Sequence, residues 1–148
     1  MIVRPATPDD LPGLVPLFDG YRRFYGRDPD PRLAERFLRD RLQRGDSAIF
    51  VAEREGRLEG FVQLYPIFSS IGAGPAWVLN DLFVAETARK GGVGRALLER
   101  ARAFGEETGA RWLSLSTQRS NLSAQRLYEA LGWVRDEEYF HYELPLLP

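Results

Sequence analysis

The chain contains no cysteine and a single histidine, His141. The first absence rules out disulfides and thiolate nucleophiles. Together the two remove the usual Cys/His zinc sites, so only carboxylates remain as metal ligands and no metal site is expected. Long apolar runs are also missing: no segment reaches the roughly 18 residues that a membrane span requires. Residues 1–5 lack the apolar stretch of a secretion signal, so the expected location is the cytoplasm. Lysine is nearly absent, Lys90 being the only one, and 20 basic against 21 acidic residues give a net charge of −1. That balance offers no basic footprint for nucleic acid, and the arginines between 22 and 44 read as a solvated helix face. At 148 residues the chain is expected to form one domain, 1–148.

What is present is periodic. Thr7-Pro8-Asp9-Asp10 reads as a helix start, followed by Leu11, Leu14, Val15, Leu17 and Phe18 at helical spacing. A Pro-rich break at 27–31 precedes a second stripe, Leu33, Phe37, Leu38 and Leu42, ending at Gly45. Segments 48–53 and 58–65 read as strands joined by a hairpin turn at 54–57. Residues 66–75 read as a loop of small residues, 77–84 as a strand, and Val93, Leu97, Ala101 and Phe104 as the buried stripe of a helix ending near Gly109. A short strand around Leu113 and Leu115, a helix carrying Ala124, Leu127, Tyr128 and Leu131 with Gly132 as its C-cap, and a closing strand over 138–144 complete the chain.

The most informative stretch is Arg89-Lys90-Gly91-Gly92-Val93-Gly94-Arg95, a glycine-rich turn between a strand and a helix. Such a turn presents unpaired backbone N–H groups and the positive end of a helix dipole, which suits phosphate. No Gly-Lys-Ser/Thr ending is present, so the triphosphate cradle is absent; Leu97 stands where the dinucleotide pattern needs its third glycine. An ordinary turn before a helix would use the same letters.

The remaining pattern, Arg-x-x-Gly-x-Gly, resembles the acyl-CoA loop of the GCN5-related N-acetyltransferases (GNAT). A second resemblance lies in residues 121–133, Asn-Leu-Ser-Ala-Gln-Arg-Leu-Tyr-Glu-Ala-Leu-Gly-Trp. The resemblance covers nearly the whole chain. It implies an α/β (α+β) fold with a mixed, mostly antiparallel central sheet flanked by helices, in the order β-α-α-β-β-β-α-β-α-β. It also implies acetyl-CoA as cofactor, released as CoA, and a primary amine as acceptor: a small amine, a polyamine-like compound or a peptide or protein amine. Segments 21–26, 63–66 and 79–84 resemble a histone- and polyamine-type branch, whose acceptor names do not transfer reliably between members.

By the same resemblance, Arg89 to Arg95 would hold the pyrophosphate. Leu82, Phe83 and Val84 would lie on a strand splayed from its neighbour, beside the pantetheine arm. Tyr128 matches the position that protonates the departing sulfur; a phenol of pKa ~10 can serve a thiolate of about 8.5, although Tyr128 also sits on an apolar stripe where a core tyrosine would. Asn121 reads as a helix cap, with or without a contact to the pantetheine region. An alkylamine of pKa ~10.4 is almost wholly protonated at neutral pH, so a base or water chain is needed. Asn80-Asp81, polar within an apolar strand, resembles the acidic pair of the polyamine branch with Asn80 in place of glutamate. Asp81 either binds the ammonium, relays its proton through water or structures the adjacent loop. Tyr21, Tyr25, Tyr65, Phe68, Ser69 and Ser70 fall in the variable acceptor wall, where aromatics favour a cation or simply pack. With no cysteine to carry the acyl group, direct attack in a ternary complex is implied. A non-catalytic acyl-CoA-binding module and a nucleotide-binding domain are the rival readings, and the oligomeric state is open, a homodimer included.

Overall fold

The computed structural model describes residues 1–147. Contacts divide the chain into two units, Met1–Ser116 and a second that begins at Thr117. The first unit holds strands β1 (Ile2–Pro5), β2 (Ala48–Arg54), β3 (Arg57–Ser69), β4 (Gly74–Val84) and β5 (Leu113–Ser114), with helices α1 (Leu11–Phe24), α2 (Pro31–Arg44) and α3 (Val93–Glu107). The second holds α4 (Leu122–Ala130). The mixed, mostly antiparallel sheet with flanking helices is the expected fold class.

Local chemistry sets the boundaries. Asp30 caps α2 by accepting from the Leu33 N–H at 3.1 Å, Pro31 supplies the first helical residue, and Gly45 at φ 59° ends it in the left-handed region. Between β2 and β3, Glu55 and Gly56 have φ of 52° and 75°, so both central residues of a two-residue turn carry the positive φ that matches strand twist. The sheet runs β1-β2-β3-β4-β5. It is antiparallel as far as β4; β5 lies parallel to β4, and α3 is the crossover that a parallel pair requires.

Alternation along the strands separates two cores. Ile49, Val51 and Phe61 pack with Leu14, Leu17 and Phe18 of α1 and Ala34 and Leu38 of α2. On the other face α3 buries Val93, Leu97, Leu98 and Ala101, and its Phe104 ring lies 5.2 Å from Phe50. Gly60 brings α3 close to the sheet: a Cβ there would lie 2.8 Å from the Phe83 carbonyl oxygen and 3.1 Å from the Val93 side chain.

Two expectations are corrected. Of residues 66–75 only 70–73 form a turn: the β3–β4 ladder continues from Pro66↔Trp77 to Ser69↔Gly74. This part of the hairpin leaves Ile67 44% and Phe68 83% exposed, so no buried periodicity announces it. Arg111 secures the tip by donating to the carbonyls of Gly72 at 2.9 Å and Ala73 at 3.3 Å. The closing strand over 138–144 is not formed among the described residues. Tyr139, Phe140 and Tyr142 are 78%, 90% and 86% exposed. Without a ladder partner the backbone groups of such a segment are left to water, and strand-like composition does not hold it.

Candidate active site

The site begins with an irregular strand. Pairing of β4 with β5 is confined to Trp77↔Leu113 and Val78↔Ser114, so from Leu79 to Val84 that edge of β4 has no ladder partner among the described residues. Leu82, Phe83 and Val84 lie on this open stretch, although the Val84 carbonyl accepts from Arg89 Nε at 3.2 Å. On its other edge β4 carries a bulge: Leu64 faces Leu79, yet Gln63 faces Asp81, which leaves Asn80 unopposed.

The bulge sets a charged group into the sheet. Asp81 is 2% exposed and Gln63 fully buried. Gln63 Nε2 donates to Asp81 Oδ2, Asn80 Nδ2 donates to Asp81 Oδ1 at 2.8 Å, and Ser47 Oγ donates to Gln63 Oε1 at 2.8 Å. Burial pushes the Asp81 carboxyl above the ordinary carboxylate range, against the two amide donors and Tyr21, which favour its anion. The Tyr21 hydroxyl donates to the Asn80 carbonyl at 3.0 Å. Burial, then the Asp81 charge, raises the phenols of Tyr21 and Tyr65 well above their usual value. Tyr25 stacks edge-on against Tyr21 at 5.1 Å. Thus Tyr21, Tyr25, Tyr65, Asn80 and Asp81, named separately from the sequence, form one cluster. Phe68 does not join it; it pairs with Pro75, four residues or roughly 13 Å of strand beyond Leu64.

The glycine-rich turn follows the open edge. Lys90 and Gly92 have φ of 66° and 81°, and Gly92 is the N-cap of α3 with no side-chain cap bond. The first N–H groups of a helix have no partner within it, so Val93, Gly94 and Arg95 present theirs at a 15-residue helix start. No atom would meet a Cβ at Gly92 within 4 Å, which leaves room above the backbone for a ligand. Arg89 sits 5.5 Å over the Phe83 ring, tying the turn to the end of β4. The turn, the open edge and the basic rim fit a pyrophosphate with an extended arm beside β4.

In the second unit Asn121 caps α4, accepting from the Ala124 N–H at 3.3 Å. The helix ends in a Schellman arrangement: Trp133 N–H bonds the Tyr128 carbonyl at 3.0 Å and Gly132 N–H bonds that of Glu129 at 3.1 Å. The hydrophobic contact that accompanies this motif is Trp133 against the Tyr128 ring, centroids 6.3 Å apart. Tyr128 is therefore a half-buried residue positioned by its own helix end. His141 is exposed and faces Glu143 at 3.7 Å.

An open cavity of about 380 Å³ lined by Leu42, Ile49, Arg41, Ser47, Arg100, Phe104 and neighbours holds none of the candidate site residues read from sequence. It touches α3 from Arg100 on, roughly 12 Å of helix beyond Gly92, and its arginines are already paired with Asp46 and Glu107. The chemistry lies with the β4 cluster instead. Sequence reading missed Ser47 and Gln63 as members of that cluster. The available signal was a glutamine inside the apolar run 61–64, since a buried amide requires partners.

The sequence pattern of the acetyltransferase (GNAT) family matches residues 14–133, crossing from the first unit into the second. YhfO of Bacillus subtilis (strain 168), an uncharacterized N-acetyltransferase, is 42% identical over 142 residues, 96% of this chain and 95% of the relative. The crystal structure of a probable acetyltransferase, also 42% identical, gives a TM-score of 0.94 over 100% of this chain and 99% of its own. Aminoglycoside N-acetyltransferase AAC(6')-Iy in complex with CoA is 23% identical and shares the fold, with a TM-score of 0.78 over 97% of this chain and 93% of its own.

Proposed function

Because the chain belongs to the acetyltransferase (GNAT) family, we propose that it takes acetyl-CoA as donor and acetylates a cationic primary amine by direct attack in a ternary complex, as one catalytic domain over 1–148 working in the cytoplasm. The single observation that carries the acceptor class is a buried carboxyl, Asp81, bonded by two amides and surrounded by Tyr21, Tyr25 and Tyr65.

Each part of the chain has a task in this reading. Residues 89–95 bind the pyrophosphate through backbone N–H groups and the dipole of α3, with Arg89, Lys90 and Arg95 adding charge at the rim. The open edge at Leu82, Phe83 and Val84 takes the pantetheine arm and offers an N–H to the carbonyl oxygen that gains charge. When bound, the cofactor supplies an acetyl group activated as a thioester. Asp81, at 2% exposure, works through water rather than by direct contact, drawing the proton from the ammonium so that a neutral amine can attack. Tyr21, Tyr25 and Tyr65 present ring faces and hydroxyls to the cation. Asn121 holds the start of α4, and Tyr128 supplies the proton to the leaving thiolate.

The test is turnover: release of free CoA thiol from acetyl-CoA with polyamines, amino acids, aminoglycosides and peptide N-termini as acceptors, alongside thermal shifts with CoA, ATP and NAD. CoA alone should raise the melting temperature, and thiol release should require a cationic amine. Stabilisation by CoA with no acetylated product from any class would leave an acyl-CoA-binding module; stabilisation by ATP or NAD instead would displace the cofactor assignment.

A further inference from the structure

We infer that Gln63, oriented by Ser47, is a positioning residue that fixes the charge and direction of the Asp81 carboxylate toward the acceptor amine. The inference rests on the acceptor reading of Asp81 given above.

The argument is one of donor and acceptor matching. An ionised carboxylate can only accept hydrogen bonds, so its neighbours must donate. Gln63 Nε2 supplies a donor to Oδ2 and Asn80 Nδ2 one to Oδ1. Gln63 must then present its carbonyl on the opposite side, and Ser47 Oγ donates to it at 2.8 Å. With Asp81 ionised every one of these bonds is satisfied at once. A proton on Oδ2 would oppose an amide hydrogen, so the neutral acid requires the Gln63 amide to turn and the Ser47 hydroxyl to rotate with it. The network is complementary to the anion.

Its cost and location indicate purpose beyond packing. Gln63 is fully buried on the strand that continues the core residue Phe61, directly opposite Asp81 in the ladder. An apolar pair at these two positions would bury the same area without desolvating a charge. Other titratable and charged groups lie near Asp81. Tyr21 and Tyr65 hold their protons through burial, Tyr25 stacks on Tyr21, and Arg41 and Asp46, which act on Tyr65, pair with each other at 2.7 Å. Loss of the limb in Asp81→Asn assigns the titration to Asp81, which Gln63 tunes from the neighbouring strand on the same face of the sheet.

The experiment is the pH dependence of kcat/KM for a cationic acceptor at saturating acetyl-CoA, in the wild type, Gln63→Leu, Ser47→Ala and Asp81→Asn. The acceptor's own titration is common to all four. Gln63→Leu removes the donor and should move the acid limb up by about one pH unit, tenfold in kcat/KM below the limb, with convergence at high pH. Ser47→Ala, which only frees the amide to turn, should move it in the same direction by less, and should decide the matter if Gln63→Leu does not fold. CoA affinity should hold throughout. A uniform loss at every pH, or a limb that stays in place in both variants, would overturn the inference and make Gln63 a packing residue. If Asp81→Asn itself leaves both the limb and the acceptor kinetics unchanged, the acceptor reading fails, which is a separate outcome.

Discussion

Replacing Asp81 by asparagine keeps the shape of the side chain and removes its charge. In the wild type both carboxylate oxygens accept from amides, Gln63 on one side and Asn80 on the other. Asparagine has one oxygen, so one donor must be released. Asn80 is exposed and can turn to water, whereas Gln63 is fully buried and must keep its partner. The lost bond and the relief of a buried charge oppose each other, and net stability should change by no more than ~1 kcal/mol at neutral pH. The effect on the amine is larger, because a hydrogen bond to a charged group contributes about 1.5–3 kcal/mol. At about 1.4 kcal/mol per factor of ten, kcat/KM for a cationic acceptor should fall roughly 10- to 100-fold while CoA affinity is unchanged. The pH dependence carries the sign. Burial raises the folded carboxyl above its ordinary value, so the folded state holds its proton more tightly than the unfolded state. Wild-type stability must then fall relative to the variant as pH rises from the ordinary carboxylate value through the raised one. The melting temperature of Asp81→Asn minus that of the wild type should therefore increase with pH, and the acid limb of wild-type kcat/KM should vanish in the variant. Steady-state thiol release and thermal melting between pH 4 and 9 measure both. A variant with wild-type kcat/KM and an unaltered acid limb would refute the reasoning and leave Asp81 a structural residue.

Gly92→Asp and Gly94→Asp should abolish CoA binding by calorimetry, since each adds a negative side chain where the pyrophosphate meets the backbone. Gly92 is at φ 81°, so Gly92→Asn, tolerant of that region and uncharged, should retain more affinity; equal losses would make strain rather than charge the cause. Tyr128→Phe should lower kcat by roughly 10²-fold with a stability loss of ~1 kcal/mol, because the bonds that end α4 are backbone bonds and the ring contact with Trp133 persists; wild-type turnover would return Tyr128 to packing. Gly60→Ala should destabilise by about 1–3 kcal/mol in urea denaturation, because its methyl would meet the Phe83 carbonyl at 2.8 Å, a backbone atom that cannot rotate away. An unchanged midpoint would show that the sheet accommodates a methyl at that approach.

Sequence by itself determined the elements whose cause is local. Asp30-Pro31 and Gly45 bound α2 through a cap, a fixed φ and a left-handed residue. The glycine-rich turn at α3 was legible because glycine brings no side chain to cap the first N–H groups of the helix, and Asn80-Asp81 stood out because polarity inside a strand needs an explanation. Tertiary structure decided what depends on register and on neighbours. The bulge that sets Gln63 opposite Asp81 shifts one strand by a residue against another, and no periodicity within either strand encodes that shift. Ser47 joined the site across 16 residues of chain, and the tip of the β3–β4 hairpin is held by Arg111 from 38 and 39 residues away. The closing strand expected over 138–144 failed for the converse reason. Its composition favours extension, but a strand exists only where another strand completes its hydrogen bonds, and that is a property of the fold rather than of the segment.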